Sequence, residues 1–190
     1  MKISSRIYLI IICLTFPLFS CVNDMETVNK FIDTEMEPDF MGENVETLYS
    51  DSARLLMRLT APVFKQYTSA SEQRREFPEG LHVWFYEKTG ELKAELTANW
   101  AKEDLATEIW EARSNVVITS AEGEVLETEQ FFWDPGKGIV YSEKFTKATK
   151  KDGSITTGET FSANQDFTNI VFTKGRATII LNDDEPENQP

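Results

Sequence analysis

Residues 80–98 read GLHVWFYEKTGELKAELTA, and this stretch decides the fold class. Its first part is rich in aromatic and aliphatic residues, and from Leu92 onward apolar residues alternate with Lys, Glu and Thr. Alternation with a period of two is typical of a strand that has one buried face. The intervening Lys88-Thr89-Gly90 is a turn signal. We therefore predict two β-strands separated by a turn.

The same signals continue towards the C-terminus. Alternating or β-branched segments occupy residues 115–119, 139–141, 170–172 and 177–181. Turn residues at 121–123, 134–138 and 151–153 separate them. Residues 99–108 are the one place where a helix competes, and there we favour a strand and a turn. The prediction is an all-β domain over residues 47–181.

Three turn glycines begin similar segments. Gly90, Gly123 and Gly153 are 33 and 30 residues apart, and each is followed two residues later by an aliphatic residue. A small residue and then another apolar residue follow at comparable positions. A period of this length indicates stacked β units that share one core.

The N-terminus reads MKISSRIYLIIICLTFPLFSC. Two bases precede an apolar run of residues 7–19, which suits a signal peptide and is short for a membrane span of roughly 20 residues. Leu18-Phe19-Ser20-Cys21 resembles the bacterial lipobox, so we predict a signal over residues 1–20 and a lipid anchor on Cys21. The alternative is a single uncleaved N-terminal membrane anchor, which Pro17 would weaken. Both readings place the rest of the chain outside the cytoplasm.

Charge and composition distinguish a tether and a tail from the predicted domain in the rest of the chain. The chain has a formal net charge of −13, which argues against binding to nucleic acid. Residues 21–46 are acidic and are predicted to be a tether. Residues 182–190 are polar with two prolines and are predicted to be a disordered tail. Cys13 and Cys21 are the two cysteines, so no thiol remains for a disulfide in the domain.

Longer stretches of the chain resemble the LptC family, the membrane-tethered periplasmic components of the lipopolysaccharide export machine. The resemblance is carried by WEARSNVVI at 110–118, GEVLETE at 123–129, Trp133-Asp134, IVYS at 139–142 and GETF at 158–161. Residues 80–86 with Gly90, and YSDSA at 49–53 with LTAP at 59–62, fit as well. It covers roughly residues 45 to 181.

This resemblance implies a twisted, incompletely closed antiparallel β-jellyroll whose apolar inside accepts the acyl chains of lipopolysaccharide. Such a protein receives lipid from an inner-membrane ABC transporter complex and passes it to a homologous periplasmic bridge protein, sheet edge to sheet edge. It implies a place on the periplasmic side of the inner membrane. Many members carry a transmembrane helix, and this sequence departs from them in its lipobox.

Alternation and side-chain size select the candidate site, and a slip of one residue in strand register would invert part of it. The candidate lipid-binding residues are Val83, Phe85, Leu92, Leu96, Val116, Ile118, Phe131, Trp133, Ile139 and Tyr141. The candidate edge for a partner is the last strand, with Ala177, Thr178, Ile179, Ile180 and Leu181.

Two other functions stay open. One is a structural or scaffolding envelope lipoprotein with a filled core and no lipid transfer. The other is a lipid-modifying enzyme, which we do not favour because the sequence has no recognisable catalytic motif and one histidine, His82. No cofactor or metal is expected.

Overall fold

The structure is a computed structural model, and it describes residues 37–69 and 72–180. The predicted signal, the Cys21 anchor, Leu181 and the tail lie outside the described residues. Within them the chain forms a 14-stranded antiparallel sheet and no helix. The predicted all-β fold class is therefore confirmed.

The strands follow one another with short connections. They are β1 (Phe40–Asp51), β2 (Arg54–Ser69), β3 (Glu72–Phe77), β4 (Leu81–Tyr86), β5 (Leu92–Ala98), β6 (Trp100–Asp104), β7 (Trp110–Ser120), β8 (Val125–Asp134), β9 (Ile139–Ser142), β10 (Thr146–Thr149), β11 (Ile155–Gly158), β12 (Thr160–Asn164), β13 (Val171–Thr173) and β14 (Arg176–Thr178).

Several of these strands are the two halves of one long, bent pass of the chain. The bent passes are β3–β4, β5–β6, β9–β10, β11–β12 and β13–β14. The pass β3–β4 pairs with β5–β6, β9–β10 pairs with β11–β12, and β11–β12 pairs with β13–β14. The long strands β2, β7 and β8 pair with both halves of a bent neighbour. The result is a meander folded across its middle, so that two half-sheets enclose one core.

The bend has local causes in the backbone. Ser114 and Asn115 in β7 have φ values of 61° and 55°, and the register with β8 shifts there. Left-handed residues of this kind mark a β-bulge, which bends a strand. The carbonyl of Ser114 accepts a hydrogen bond from the Asn99 N–H at 3.0 Å, between β5 and β6. One continuous strand can thus belong to both half-sheets.

The sheet does not close on itself within the described residues. At one end β1 pairs with β2 alone, and at the other β13 pairs with β12 and β14 with β11. These outer strands each have one unpaired edge. The prediction of an incompletely closed antiparallel jellyroll is confirmed.

The predicted repeat corresponds to a repeated hairpin. Gly90, Gly123 and Gly153 have φ values of 91°, 89° and 84°. Each glycine N–H donates to the carbonyl three residues earlier, at 2.8, 3.0 and 2.9 Å. That earlier residue donates its own N–H to the residue after the glycine, at 2.8, 2.9 and 2.8 Å. This is the three-residue hairpin loop that favours glycine at its left-handed position.

The N-terminal boundary of the domain lies earlier than residue 47. Residues 40–46, predicted to belong to the tether, form the first part of β1 and pair with β2. Strand pairing uses backbone groups, so acidic side chains do not prevent it. Glu46 is instead accommodated by Arg58 of β2, with 2.6 Å between carboxylate oxygen and Nε.

The turn after β8 provides a test by pH. Asp134 accepts hydrogen bonds from the backbone N–H and the Nζ of Lys137, at 2.9 and 2.8 Å. These bonds hold the pKa of Asp134 below its usual value. Because the folded pKa is the lower one, this stabilisation is complete above an aspartate's ordinary pKa of about 3.9 and is lost as pH falls through the folded value.

We therefore expect Asp134→Asn to destabilise the protein at pH 7 and to do so much less at pH 3. Urea unfolding curves of the two proteins at both values measure the difference. A loss of equal size at pH 7 and pH 3 would contradict the assignment. The difference between the unfolding free energies of the two proteins at each pH cancels the contribution of the other carboxylates.

Candidate functional site

An apolar cavity of about 330 Å³ lies between the two half-sheets. Its apolar lining consists of Met57, Leu59, Leu81, Val83, Phe85, Ala94, Leu96, Ala101, Trp110, Ala112, Ile118, Phe131, Trp133, Val140 and Phe167. Four polar residues complete it, namely Lys93, Glu111, Gln165 and Asp166. A largely apolar cavity with few polar groups is the usual form of a site for a small apolar ligand.

Strand alternation builds the walls. In β4 the inward residues Val83 and Phe85 lie directly opposite Leu59 and Met57 of β2. In the other half-sheet, Phe131 of β8 lies opposite Ala112 of β7. Since side chains at i and i+2 share a face, each half-sheet presents one continuous apolar face to the cavity.

Six of the predicted residues line this cavity. They are Val83, Phe85, Leu96, Ile118, Phe131 and Trp133. Val116 is 1 % exposed and belongs to the packed core beside them without lining the cavity. A role of the six in binding lipid stays a prediction.

The other three predicted residues lie away from the cavity. In β9 the inward residue is Val140, which is 4 % exposed, so Ile139 and Tyr141 occupy the opposite face. There Tyr141 stacks on Phe132 with 4.8 Å between ring centroids. The prediction chose Ile139 and Tyr141 because their side chains are larger, but the strand register turns the smaller Val140 towards the cavity.

Leu92 does not line the cavity because it lies at the end of a strand. A β-bulge shifts the register of β4 and β5 between Phe85 and Tyr86, and Leu92 pairs with Tyr86 just beyond it. Leu92 is 36 % exposed and does not line the cavity, whereas its neighbours Lys93 and Ala94 do. The expectation that Leu92 faces inward is therefore wrong.

Sequence reasoning missed several lining residues. Met57 and Leu59 alternate within LLMRLTA, a signal that could have identified them. Phe167 gave no such signal because it lies in a turn between β12 and β13. Its side chain nevertheless packs against the core.

Glu111 borders the cavity, yet its carboxylate is fully engaged. It accepts hydrogen bonds from Nε and a terminal nitrogen of Arg113, at 2.6 and 2.9 Å, and from the side-chain amide of Gln130 at 2.7 Å. Nζ of Lys102 lies 3.7 Å from it. A buried carboxylate with this set of donors is structurally satisfied.

The polar residues Lys93, Gln165 and Asp166 lie at an end of the cavity that reaches solvent, which we call the mouth. The Lys93 side chain is 44 % exposed, and its Nζ is 3.4 Å from the carboxylate of Glu87. The hydroxyl and backbone N–H of Thr168 lower the pKa of Asp166, and attraction to Lys93 acts in the same direction. Lys93 belongs to β5 and Asp166 to the turn after β12, so both half-sheets contribute to the mouth.

The predicted partner edge is partly described. Ala177 and Thr178 lie in β14, whose outer edge is unpaired within the described residues. Ile179 and Ile180 follow the strand and are 69 % and 46 % exposed. An extended edge with exposed apolar residues can accept another strand, so the candidate edge stays a prediction.

The second free edge, β1, was not predicted as one. Its backbone pairs with β2 on one side, and its exposed apolar side chains are Phe40, Met41, Leu48 and Tyr49. Assigning residues 40–46 to a tether had hidden this strand. The described domain thus has a free edge at each end of the meander.

Among the described residues there is no helix with the length and apolar composition that a membrane span requires. A search among curated proteins finds no match to this chain. A family model described as lipopolysaccharide-assembly, LptC-related, matches residues 7–178, which is nearly the whole chain. That family consists of transport components of the envelope rather than enzymes. The chain therefore belongs to the LptC-related family of lipopolysaccharide-assembly proteins, and its role is in lipopolysaccharide transport.

Proposed function

We propose that the cavity binds an acyl chain of lipopolysaccharide and that the protein relays this lipid across the periplasm. The observation that carries the proposal is an apolar cavity between two half-sheets of an unclosed sheet. Each acyl CH₂ that leaves water contributes roughly 0.8 kcal/mol. A dry, preformed wall of aliphatic and aromatic side chains is what such a chain requires.

The size of the cavity limits how many chains it holds. At about 330 Å³ it is near the lower end of ligand pockets, which span roughly 300–1,000 Å³. It is roughly twice an engineered apolar cavity of about 150 Å³ that binds benzene. In this conformation it accommodates one chain, so a lipid with several chains requires the half-sheets to separate further.

The free edges suit a relay built by strand addition. In our proposal the lipid comes from an inner-membrane ABC transporter complex and leaves to a homologous periplasmic bridge protein at the β13–β14 edge. Strand addition provides affinity through backbone hydrogen bonds and continues the sheet from one protein into the next. The apolar faces of the two proteins would then form one path.

Attachment to the membrane completes the proposal. We infer that Cys21 is acylated and holds the domain on the periplasmic side of the inner membrane, with an uncleaved N-terminal anchor as the alternative. Two or more acyl chains give stable membrane attachment. The structure describes the chain from residue 37 onward, so this inference depends on the sequence.

Photocrosslinking in cells tests the lipid-binding proposal. We expect benzoylphenylalanine in place of Phe85 or Trp133 to crosslink to lipopolysaccharide, because both side chains line the cavity. The matched controls are Phe132 and Tyr141, which stack on the opposite face, and these should give little crosslink. Aromatic positions are chosen so that the probe replaces a residue of similar shape.

The outcome separates a relay from a scaffold. Crosslinks that are equally strong on both faces would indicate nonspecific contact with lipid. No crosslink at any of these positions would favour a structural lipoprotein without lipid transfer.

A further inference from the structure

A second cavity lies on the outer face of the sheet, at the bend between the half-sheets. It is an open groove of about 550 Å³ that crosses β1, β2 and β4. Glu46, Thr60 and His82 form one row across these strands, because each lies directly opposite the next. Thr60 follows Leu59 and His82 precedes Val83, and both of these apolar neighbours line the inner cavity. Since successive side chains alternate, the groove opens on the opposite face of the sheet.

The groove lies at a gap in the sheet. β2 pairs with β4 up to Thr60 and with β3 from Lys65 onward, so residues 61–64 face β1 alone. The turn between β3 and β4 borders this gap, and within it the Gly80 N–H donates to the Phe77 carbonyl at 3.2 Å. The floor of the groove is apolar and consists of Ala61, Pro62, Leu81 and Ala98.

The rim of the groove carries polar side chains that are free to bind a ligand. Asn44 has a φ of 50° and lies opposite Pro62, which has no N–H to donate. Among the described residues, the side chains of Asn44, Thr60 and Glu79 have no hydrogen-bond partner. An amide, a hydroxyl and a carboxylate together offer both donors and acceptors.

Two other side chains of the groove are held in fixed orientations. Nε of Arg58 is 2.6 Å from the carboxylate of Glu46, and its guanidinium carbon is 4.8 Å from the centre of the Trp84 ring. His82 stacks on Trp84 with 3.6 Å between ring centroids, and its Nε2 is 2.8 Å from the carboxylate of Glu95. Side chains fixed in this way lose little further entropy when a ligand binds.

The charges around the groove select the kind of ligand. Glu46 and Arg58 neutralise each other, and Glu79 adds a second carboxylate on the far side. A simple anion would approach two carboxylates, and a simple cation would approach the guanidinium. A saccharide fits both the rim and the floor. Its hydroxyls donate and accept hydrogen bonds, and the C–H face of a sugar ring can lie on an apolar floor.

We propose that this groove binds a saccharide. Asn44, Thr60 and Glu79 hydrogen-bond to its hydroxyls, and Ala61 and Pro62 lie beneath a sugar ring. The sugar part of lipopolysaccharide and other glycans of the envelope share this chemistry. The site does not depend on lipid binding in the cavity, because it lies on the opposite face of the sheet.

Ligand-observed NMR tests the proposal, with saturation transferred from the full-length protein in nanodiscs of phosphatidylcholine to the saccharide. One arm uses the deacylated saccharide of lipopolysaccharide, and the other uses chitohexaose. Neither probe has an acyl chain that could enter the cavity. We expect saturable binding in at least one arm, and the arm with the lower Kd identifies the source.

Two variants of the rim locate the site. Asn44→Gly removes the amide and keeps a residue that tolerates the left-handed backbone, and Glu79→Ala removes the carboxylate. Each should raise the Kd of the saccharide about three- to tenfold, which is the effect of losing one hydrogen bond.

The matched controls are Asn169→Gly and Glu122→Ala. Asn169 also has a φ of 50°, and Glu122 is likewise an exposed carboxylate in a turn, yet neither residue lines the groove. Both controls should leave the Kd unchanged.

The proposal is overturned if neither saccharide shows saturable binding to the parent protein, or if the controls weaken binding as much as the rim variants do. Hexaglycine is a third probe. Tighter binding of hexaglycine than of either saccharide, lost in the rim variants, would assign the groove to an extended peptide instead. Each of these failures leaves the proposed function of the cavity standing, since none of the probes carries an acyl chain.

Discussion

Gly80→Ala should destabilise the domain by about 3 kcal/mol or more and prevent stable folding of a marginal protein. Gly80 has a φ of 86°, and a Cβ built there would lie 2.4 Å from the Ala98 carbonyl oxygen and 3.1 Å from Cα of Asn99. Both neighbours are backbone atoms at the bend between the half-sheets. They cannot move without disturbing the pairing of β4 with β5.

Gly90→Ala is the matched control for this substitution. Gly90 has a φ of 91°, and nothing lies within 4 Å of a Cβ built on it. Alanine at position 90 therefore has the conformational cost of about 1–2 kcal/mol for a left-handed backbone, without a steric clash. Urea unfolding monitored by tryptophan fluorescence measures both variants. Equal losses at the two positions would show that close packing at the bend is not what requires glycine.

The sequence of residues 80–98 was sufficient to predict the fold class because period-two alternation and turn chemistry are local properties. The equivalence of Gly90, Gly123 and Gly153 was visible for the same reason, since each hairpin closes within five residues. The bend of the strands between the two half-sheets could not be predicted from the sequence. It depends on Ser114 and Asn115, which have ordinary polar side chains and adopt left-handed backbone only in the context of two diverging neighbours.

The candidate site was predictable where alternation was uninterrupted. Val83 and Leu96 lie in regular strands, and both line the cavity. Side-chain size was misleading in β9, where the smaller Val140 faces inward. The position of Phe167 could not be predicted, because a turn residue reaches the core only through tertiary packing between the half-sheets.

The proposed function combines an acidic surface with an anionic ligand. The chain has a formal net charge of −13, yet the proposed binding site is an interior with few charged groups. The carboxylate of Glu111 is engaged by Arg113 and Gln130, so Asp166 at the mouth is the carboxylate that an entering acyl chain would pass. Repulsion from the rest of the acidic surface is screened by salt over about 8–10 Å.

Filling the cavity should separate lipid binding from folding. We expect Ala94→Phe to leave the free energy of unfolding within about 1 kcal/mol of the parent protein, because the added ring enters existing space. The same ring occupies the volume that an acyl chain needs. Crosslinking of lipopolysaccharide at position 133 should therefore fall at least tenfold, and the variant should fail to support lipopolysaccharide export in cells.

Thr97→Phe is the matched control, since it adds the ring to the same strand on the face opposite Leu96. It should keep both crosslinking and export, which would attribute the effect of Ala94→Phe to the cavity rather than to a bulky residue in β5. Undiminished crosslinking in folded Ala94→Phe protein would mean that the chain is bound elsewhere.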